Sequence, residues 1–239
     1  MNPNTEHPLT NIENMKIGFI LFNNLTQLDF TGPYEVFARM PDAEVFLISK
    51  NLTNIRADKG LMFVPTHNFD DCPVLDILCV PGGVGVSEVI EDAEFIGFLN
   101  DKAKTAQYIT SVCTGALILA VAGLLDGYKA TTHWMSRDLL RKFSKIIVVD
   151  ERVVKDRNRF TGSGVTAGID FALTIAAEIY GEKIAKEIQL MIEYNPNPPF
   201  LAGSPKLIEA DILEQILTSR KEIQNHRNAQ IERIINSQP

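Results

Sequence analysis

A cysteine between a predicted strand and a predicted helix is the residue best placed for chemistry in this 239-residue sequence. The extended run from Tyr108 to Val112 ends at Cys113, and the small residues 114–116 lead into a helical run that reaches Leu125. A thiol at such a sharp turn is predicted to be exposed and strained. The helix N-terminus is predicted to lower the thiol pKa. Most free cysteines are buried structural residues, but this context favours a nucleophile.

An acidic residue follows another predicted strand and is a candidate partner of the thiol. The apolar run 15–22 predicts the first strand, and Asp29 lies in the segment after it. In open α/β sheets, ligands bind at the carboxyl ends of the strands, where Asp29 and Cys113 are both expected. Asp29 either caps the helix predicted to begin at Pro33 or faces the thiol. In the second case its proton is coupled to that of the thiol, and it can act as a general acid.

Backbone groups and a hydroxyl complete this candidate site. Gly82 and Gly83 follow the predicted strand 74–80, and they form either a plain tight turn or a close backbone approach to the nucleophile. In the second case the N–H groups of Gly83 and Thr114 are predicted to stabilise a developing negative charge. The Thr114 hydroxyl is predicted to cap the following helix, a role compatible with substrate contact.

A histidine is a further candidate for substrate contact. His133 lies at the end of a short extended segment and precedes Trp134, the single tryptophan. A histidine in this position is more often structural than catalytic. A triad of Cys113, His133 and Asp170 is possible on residue types alone and stays an open alternative.

Composition narrows the function classes. The chain is 45% hydrophobic and 22% charged, with a net charge of −7 and no basic cluster. We therefore expect one large globular domain and no direct nucleic-acid partner. The apolar stretches are too short to span a membrane. The three cysteines and four histidines do not follow metal-ligand spacing, so we expect no metal and no cofactor. The few cysteines indicate the cytoplasm.

Alternating predicted strands and helices indicate a mainly parallel sheet between two layers of helices. Residues 1–14 are predicted to be a disordered leader, residues 15–194 the α/β domain, and residues 195–239 a C-terminal extension. In the extension, Ser204 is predicted to cap an amphipathic helix whose first residue is Pro205. The apolar stripe of this helix requires burial, so it is expected to pack on the body or on a partner subunit.

Six segments in consistent order resemble the ThiJ/PfpI superfamily, and within it the isonitrile hydratase subfamily. They are residues 28–37, 80–83, 111–116, 123–127, 130–134 and 164–170. The resemblance implies a class I glutamine amidotransferase-like, flavodoxin-like fold and a homodimer. It also implies that Cys113 is the nucleophile, Asp29 the acid facing it, and Thr114 a required neighbour. Protease-type members carry histidine after the nucleophile, so Thr114 speaks against peptidase activity.

The implied activity is the addition of water to an isonitrile, which gives an N-substituted formamide. Cys113 would attack the terminal carbon while Asp29 delivers a proton and then activates water. Two alternatives stay open: a glyoxalase-like or deglycase-like enzyme acting on reactive aldehydes, and a non-catalytic cysteine redox sensor. Related domains also serve as the sensory half of AraC-type regulators, but no DNA-binding pair of helix-turn-helix units is recognisable in this sequence.

Overall fold

A single six-stranded sheet forms the centre of the molecule. The structure is a computed structural model and describes residues 14–237. The strands, in chain order, are β1 Met15–Ile20, β2 Ala43–Ile48, β3 Ile55–Arg56, β4 Met62–Phe63, β5 Ile77–Val80, β6 Tyr108–Val112, β7 Lys129–Ala130, β8 Ile147–Val148, β9 Val153–Asp156 and β10 Arg159–Gly162. The central sheet has the order β2-β1-β5-β6-β10-β9. All its pairs are parallel except β10 with β9, which confirms the predicted sheet.

Helices flank this sheet. They are α1 Gln27–Phe37, α2 Val86–Val89, α3 Ala93–Ala103, α4 Gly115–Val121, α5 Arg137–Leu140, α6 Ala167–Met191 and α7 Ala210–Ser237, with a short 3-10 helix at Trp134–Ser136. Helix α1 packs against α6, whereas α4 contacts α2 and α5. Within α6, Gly181 has φ 83° and interrupts the helix. Among residues 14–237, no helix is long and apolar enough to cross a membrane.

The central strands are buried because the sheet is covered on both faces. All four residues of β5 are buried, as are four of the five residues of β6. The continuous apolar run of β5 is typical of parallel sheets between helical layers. The register aligns Val80 with Ser111, so β5 and β6 end side by side. The loops that follow these two strands therefore lie at the same edge of the sheet.

The prediction for the start of helix α1 is wrong. The helix begins at Gln27 rather than at Pro33, and Pro33 lies inside it. Asp29 consequently occupies the first turn of α1 and is not part of the preceding loop. Because proline has no N–H, the helix loses the hydrogen bond that would join residue 33 to the Asp29 carbonyl.

The C-terminal helix also differs from the prediction at its start. Residues 204–209 are irregular, and α7 begins at Ala210, so Ser204 and Pro205 do not form the predicted helix start. The second half of α7 contacts the body, and its Arg227, Gln230 and Ile231 are buried. Residues 1–13 of the predicted leader lie outside the described residues.

Candidate active site

The backbone at Cys113 has a left-handed conformation that side-chain-bearing residues seldom adopt. Its φ is 56°, and such strain persists only when the surroundings enforce it. The Cys113 N–H donates to the Gly162 carbonyl oxygen at 2.9 Å, and the Thr132 hydroxyl donates to the Cys113 carbonyl oxygen at 2.8 Å. A Cβ added to Gly115 would lie 2.2 Å from the Val80 carbonyl oxygen, so only glycine permits this turn. The sharp turn predicted between strand and helix at Cys113 is therefore present, and we call it the elbow.

The Asp29 carboxyl is buried beside this elbow. Its exposed fraction is 0%, and its Oδ2 accepts a hydrogen bond from the Gly82 N–H at 3.0 Å. Its Oδ1 has no hydrogen-bond donor of ordinary geometry among the described residues, although the carboxyl interacts with the Cys113 thiol. Burial raises the pKa of Asp29 to about 7, against the smaller lowering effects of the Gly82 N–H and the Cys113 thiol. Asp29 can therefore hold a proton at neutral pH.

The Cys113 thiol does not have the exposure or the acidity predicted from the sequence. Only 6% of the residue is exposed. Burial, followed by the charge of Asp29, raises its pKa well above the ordinary value, while the Thr114 N–H and the Arg227 charge lower it less strongly. The prediction of a lowered pKa was wrong because it considered the helix N-terminus without the desolvation of the sulfur. Cys113 and Asp29 form a coupled pair, and the thiolate is favoured when Asp29 holds the proton.

The Thr114 side chain connects the elbow to the loop after β5. Its hydroxyl accepts a hydrogen bond from the Gly83 N–H at 2.9 Å and approaches the Gly83 carbonyl oxygen at 3.4 Å. The hydroxyl makes no capping hydrogen bond to α4, so the predicted cap is wrong. The Gly83 N–H is likewise engaged and is not free to bind a developing anion as predicted. The Thr114 N–H points to the Cys113 sulfur instead, where it favours the thiolate.

The structure does not assemble the alternative triad. Asp170 accepts hydrogen bonds from Arg152 at 2.8 Å and from the Tyr194 hydroxyl at 2.9 Å. The His133 Nδ1 accepts a long hydrogen bond from the Met135 N–H at 3.4 Å, within its own turn. Burial, followed by the charges of nearby arginines, lowers the pKa of His133 to about 4. His133 is therefore neutral near pH 7 and remains a candidate only for substrate contact.

Sequence reasoning missed one charged residue beside the site. Arg227 belongs to α7 and is 3% exposed. Its guanidinium donates to the carbonyl oxygens of Gly83 and Val84 and to the Ser87 hydroxyl. No local sequence signal places Arg227 here, because a helix with an amphipathic pattern does not indicate which body surface it contacts.

The assembled groups suit nucleophilic addition with proton transfer. A buried thiol is able to act as a nucleophile, and a carboxyl with a pKa of about 7 is able to donate or accept a proton near neutral pH. Within the part of the chain that the structure describes, no group of three or more His, Cys, Asp or Glu residues is arranged to hold a metal ion.

Comparisons with known proteins agree with this architecture. The model of the DJ-1/PfpI family matches residues 15–178. The chain is 50% identical over 201 residues to isonitrile hydratase of Pseudomonas putida, which covers 84% of this chain and 88% of that protein. It is 30% identical over 194 residues to the HTH-type transcriptional regulator GbdR of Pseudomonas aeruginosa, covering 78% of this chain and 53% of the regulator.

A solved structure is similar over nearly the whole chain. The crystal structure of a ThiJ/PfpI family protein from Pseudomonas syringae has a TM-score of 0.88 and 39% sequence identity. The match covers 97% of both chains, so it extends beyond the range of the family model. The family model matches well over half of the sequence, and the relatives just described agree with it. The chain therefore belongs to the DJ-1/PfpI family.

Proposed function

We propose that the protein is an isonitrile hydratase-like hydro-lyase that adds water to an isonitrile to give an N-substituted formamide. The 50% identity to the Pseudomonas putida isonitrile hydratase supports this activity and a small-molecule substrate. The observation that carries the mechanism is the buried pair of Cys113 and Asp29, in which the carboxyl pKa is raised to about 7. An isonitrile has an electrophilic terminal carbon and no leaving group, so a nucleophile and a proton donor are the two groups that it requires.

The first step forms a covalent adduct. The Cys113 thiolate donates an electron pair to the terminal carbon of the isonitrile, and a C–S bond forms. The same carbon takes the proton of Asp29, which becomes a carboxylate. The product is a thioimidate in which the carbon carries hydrogen, sulfur and a double bond to nitrogen.

Water then replaces the enzyme sulfur. The Asp29 carboxylate takes a proton from water while the oxygen adds to the thioimidate carbon, and Asp29 passes that proton to the nitrogen. In the last step Asp29 takes the proton of the new hydroxyl as the C–S bond breaks. The formamide leaves, and the thiolate and the protonated Asp29 are both restored. Every proton transfer thus passes through one buried carboxyl, which needs a pKa near neutrality for that purpose.

Thr114 and His133 have supporting roles in this proposal. Thr114 contributes its N–H to the sulfur and its hydroxyl to Gly83, so it fixes the elbow against the neighbouring loop. Gly83 serves by holding Thr114 rather than by binding the substrate directly. Neutral His133 contacts the substituent on the isonitrile nitrogen and transfers no proton.

The burial of Cys113 favours this reaction over a sensor role. Cysteines that oxidise readily are accessible to solvent, whereas Cys113 is only 6% exposed. The terminal carbon of an isonitrile ends a linear, narrow group, which suits a thiol with little exposed surface.

The test is a substrate comparison on the purified protein. Cyclohexyl isocyanide and methylglyoxal are offered separately, and N-cyclohexylformamide and methylglyoxal consumption are measured. We expect catalytic formamide production and no comparable consumption of methylglyoxal. Methylglyoxal consumption without formamide would overturn the proposal in favour of the aldehyde enzyme.

We also propose a homodimer in a reducing compartment such as the cytoplasm. The segment before α7 and the first half of that helix expose apolar side chains that the body does not cover: Leu201, Leu207, Ile212, Ile216 and Leu217. A second copy of the chain would bury them. Sedimentation analysis should give twice the mass of the 26.6 kDa chain, and a monomer at micromolar concentration would contradict this.

A further inference from the structure

We propose that Arg227 of helix α7 is a positioning residue for the reaction at Cys113: it fixes the loop after β5 and supplies a positive charge that favours the reactive form of the pair, in which Cys113 is a thiolate and Asp29 holds the proton. The inference rests on the proposed nucleophilic role of Cys113. It concerns a residue outside the range 15–178 matched by the family model.

The contacts of Arg227 are unusual for a buried arginine. The residue is 3% exposed, and Nη2 donates to the carbonyl oxygens of Gly83 at 3.2 Å and Val84 at 3.3 Å. Its Nε donates to the Ser87 hydroxyl at 3.2 Å. All three acceptors are uncharged, and none of the ion pairs within residues 14–237 includes Arg227. The guanidinium thus has hydrogen bonds but no carboxylate to balance its charge.

A buried cation without an anion is costly, which indicates that a nearby group can become negative. Cys113 is such a group, because the charge of Arg227 and the charge of a Cys113 thiolate favour each other. The guanidinium and the thiolate would therefore compensate one another in the reactive state. The packing of α7 on the body does not by itself need a buried positive charge, whereas stabilisation of a Cys113 thiolate does.

The charge of Arg227 affects the pKa of Cys113 more than the pKa of Asp29. It lowers the pKa of Cys113 and so favours the thiolate, whereas Arg227 is not among the groups that shift the pKa of Asp29. The charged groups that face the sulfur are Asp29 from α1 and Arg227 from α7. The charge of Arg227 also acts on His133, which is neutral near pH 7 because its pKa is lowered to about 4. The net effect of Arg227 is to move the shared proton from sulfur to carboxyl, which is the arrangement that the first chemical step needs.

Arg227 is also connected to the elbow by hydrogen bonds, with Gly83 as the intermediate residue. The Gly83 carbonyl oxygen accepts from Arg227 and lies 3.4 Å from the Thr114 hydroxyl, and the Gly83 N–H donates to that same hydroxyl. Thr114 is the neighbour of Cys113 in the chain. Arg227 therefore fixes the loop whose position determines where the elbow sits.

Charge and hydrogen bonding can be separated by substitution. Arg227→Lys keeps the charge, Arg227→Gln keeps amide donors without the charge, and Arg227→Met removes both. The matched control is Arg233→Gln on the same helix, because Arg233 pairs with Glu91 on the body and is 63% exposed. The readout is the rate of iodoacetamide labelling of Cys113 as a function of pH, followed by peptide mass spectrometry, with melting temperature measured in parallel.

We expect Arg227→Gln and Arg227→Met to slow labelling of Cys113 at pH 8 at least about threefold, because removal of a nearby positive charge raises the pKa of a thiol. The difference in labelling rate between these variants and the wild type should become smaller at strongly alkaline pH, where Cys113 is a thiolate in every protein. Arg233→Gln should label at close to the wild-type rate. Arg227→Lys keeps the charge but not the set of hydrogen bonds to Ser87, Gly83 and Val84, so it should label at a rate between those of the wild type and Arg227→Met.

Two results would overturn the inference. One is a folded Arg227→Gln or Arg227→Met variant whose labelling profile equals that of the wild type. The other is equal slowing in Arg227→Gln, Arg227→Lys and Arg233→Gln, which would show that α7 docking alone matters. Labelling does not depend on turnover, so a protein without hydratase activity still gives a clear answer about Arg227.

Discussion

The Asp29 carboxyl faces the Cys113 thiol although the two residues follow strands that are not neighbours in the sheet. Strand β5 lies between β1 and β6, and Gly82 at its end donates its N–H to Asp29 Oδ2 at 3.0 Å. A Cβ added to Gly82 would lie 2.5 Å from the Thr114 nitrogen and 2.9 Å from Asp29 Oδ2. The absence of a side chain at this middle position allows the carboxyl and the thiol to approach each other.

The pH dependence of kcat/KM should reflect this pair. The fully protonated pair lacks a thiolate, and the first proton leaves near pH 7, because the pKa of Asp29 is about 7. We therefore expect kcat/KM to rise through about pH 7 and to fall only in strongly alkaline solution, where the second proton leaves.

Asp29→Asn should abolish the rise of kcat/KM near pH 7. It should also lower kcat/KM by about a hundredfold or more, since the proton donor is lost. Steady-state kinetics across this pH range provide the measurement. If kcat/KM of the variant still rises near pH 7, a group other than Asp29 titrates in that range.

Folding stability should also depend on Asp29. Its pKa is raised from 3.8 in the unfolded chain to about 7 in the folded protein. The stabilisation is present below about pH 4 and is lost as the pH rises through about 7, a change on the order of 4 kcal/mol. Urea unfolding should therefore show Asp29→Asn gaining stability relative to wild type between pH 5 and pH 8. A constant difference between the two proteins would contradict the raised pKa.

Gly82→Ala should disrupt the site, because the new methyl group would meet the Thr114 nitrogen and hydroxyl and the Asp29 carboxyl. We expect a loss of about 1–3 kcal/mol in unfolding free energy and a large loss of kcat/KM. The control is Gly97→Ala in the middle of α3, where a Cβ meets nothing within 4 Å. That change should stabilise the protein by about 0.5–1 kcal/mol. Equal behaviour of the two variants would refute the close approach at Gly82.

The substitution His133→Gln tests our conclusion that Cys113, His133 and Asp170 do not form a catalytic triad. Because the pKa of His133 is lowered to about 4, no inflection of kcat/KM near pH 6.5 should come from this residue. We expect the variant to raise KM more than it lowers kcat, and Asp170→Asn to change kcat/KM by less than about threefold. A loss of kcat of about a thousandfold in both variants would restore the triad.

Much of the site could be predicted from sequence because parallel strands end at a common edge. The extended runs of β1, β5 and β6 identified the strands. Cys113 directly follows β6, Gly82 lies two residues after β5, and Asp29 lies in the helix that follows β1. The small residues after Cys113 identified the elbow, since only a glycine at position 115 fits against Val80.

The errors arose where the outcome depended on contacts distant in sequence. The thiol pKa is set mainly by burial, which a local pattern does not reveal. The Thr114 hydroxyl prefers Gly83 over its own helix, and Asp170 pairs with Arg152 and Tyr194. Arg227 reaches the site from a helix that begins nearly a hundred residues after the elbow, at Ala210.

The most direct test of the account is formamide production from cyclohexyl isocyanide by wild type, Cys113→Ala and Cys72→Ala. Cys72 is a second buried cysteine, it lies outside the site, and its backbone carbonyl accepts a hydrogen bond from Lys102. The account predicts product from wild type and Cys72→Ala and none above background from a folded Cys113→Ala. Formamide production by Cys113→Ala at the wild-type rate would contradict the central claim that Cys113 is the nucleophile.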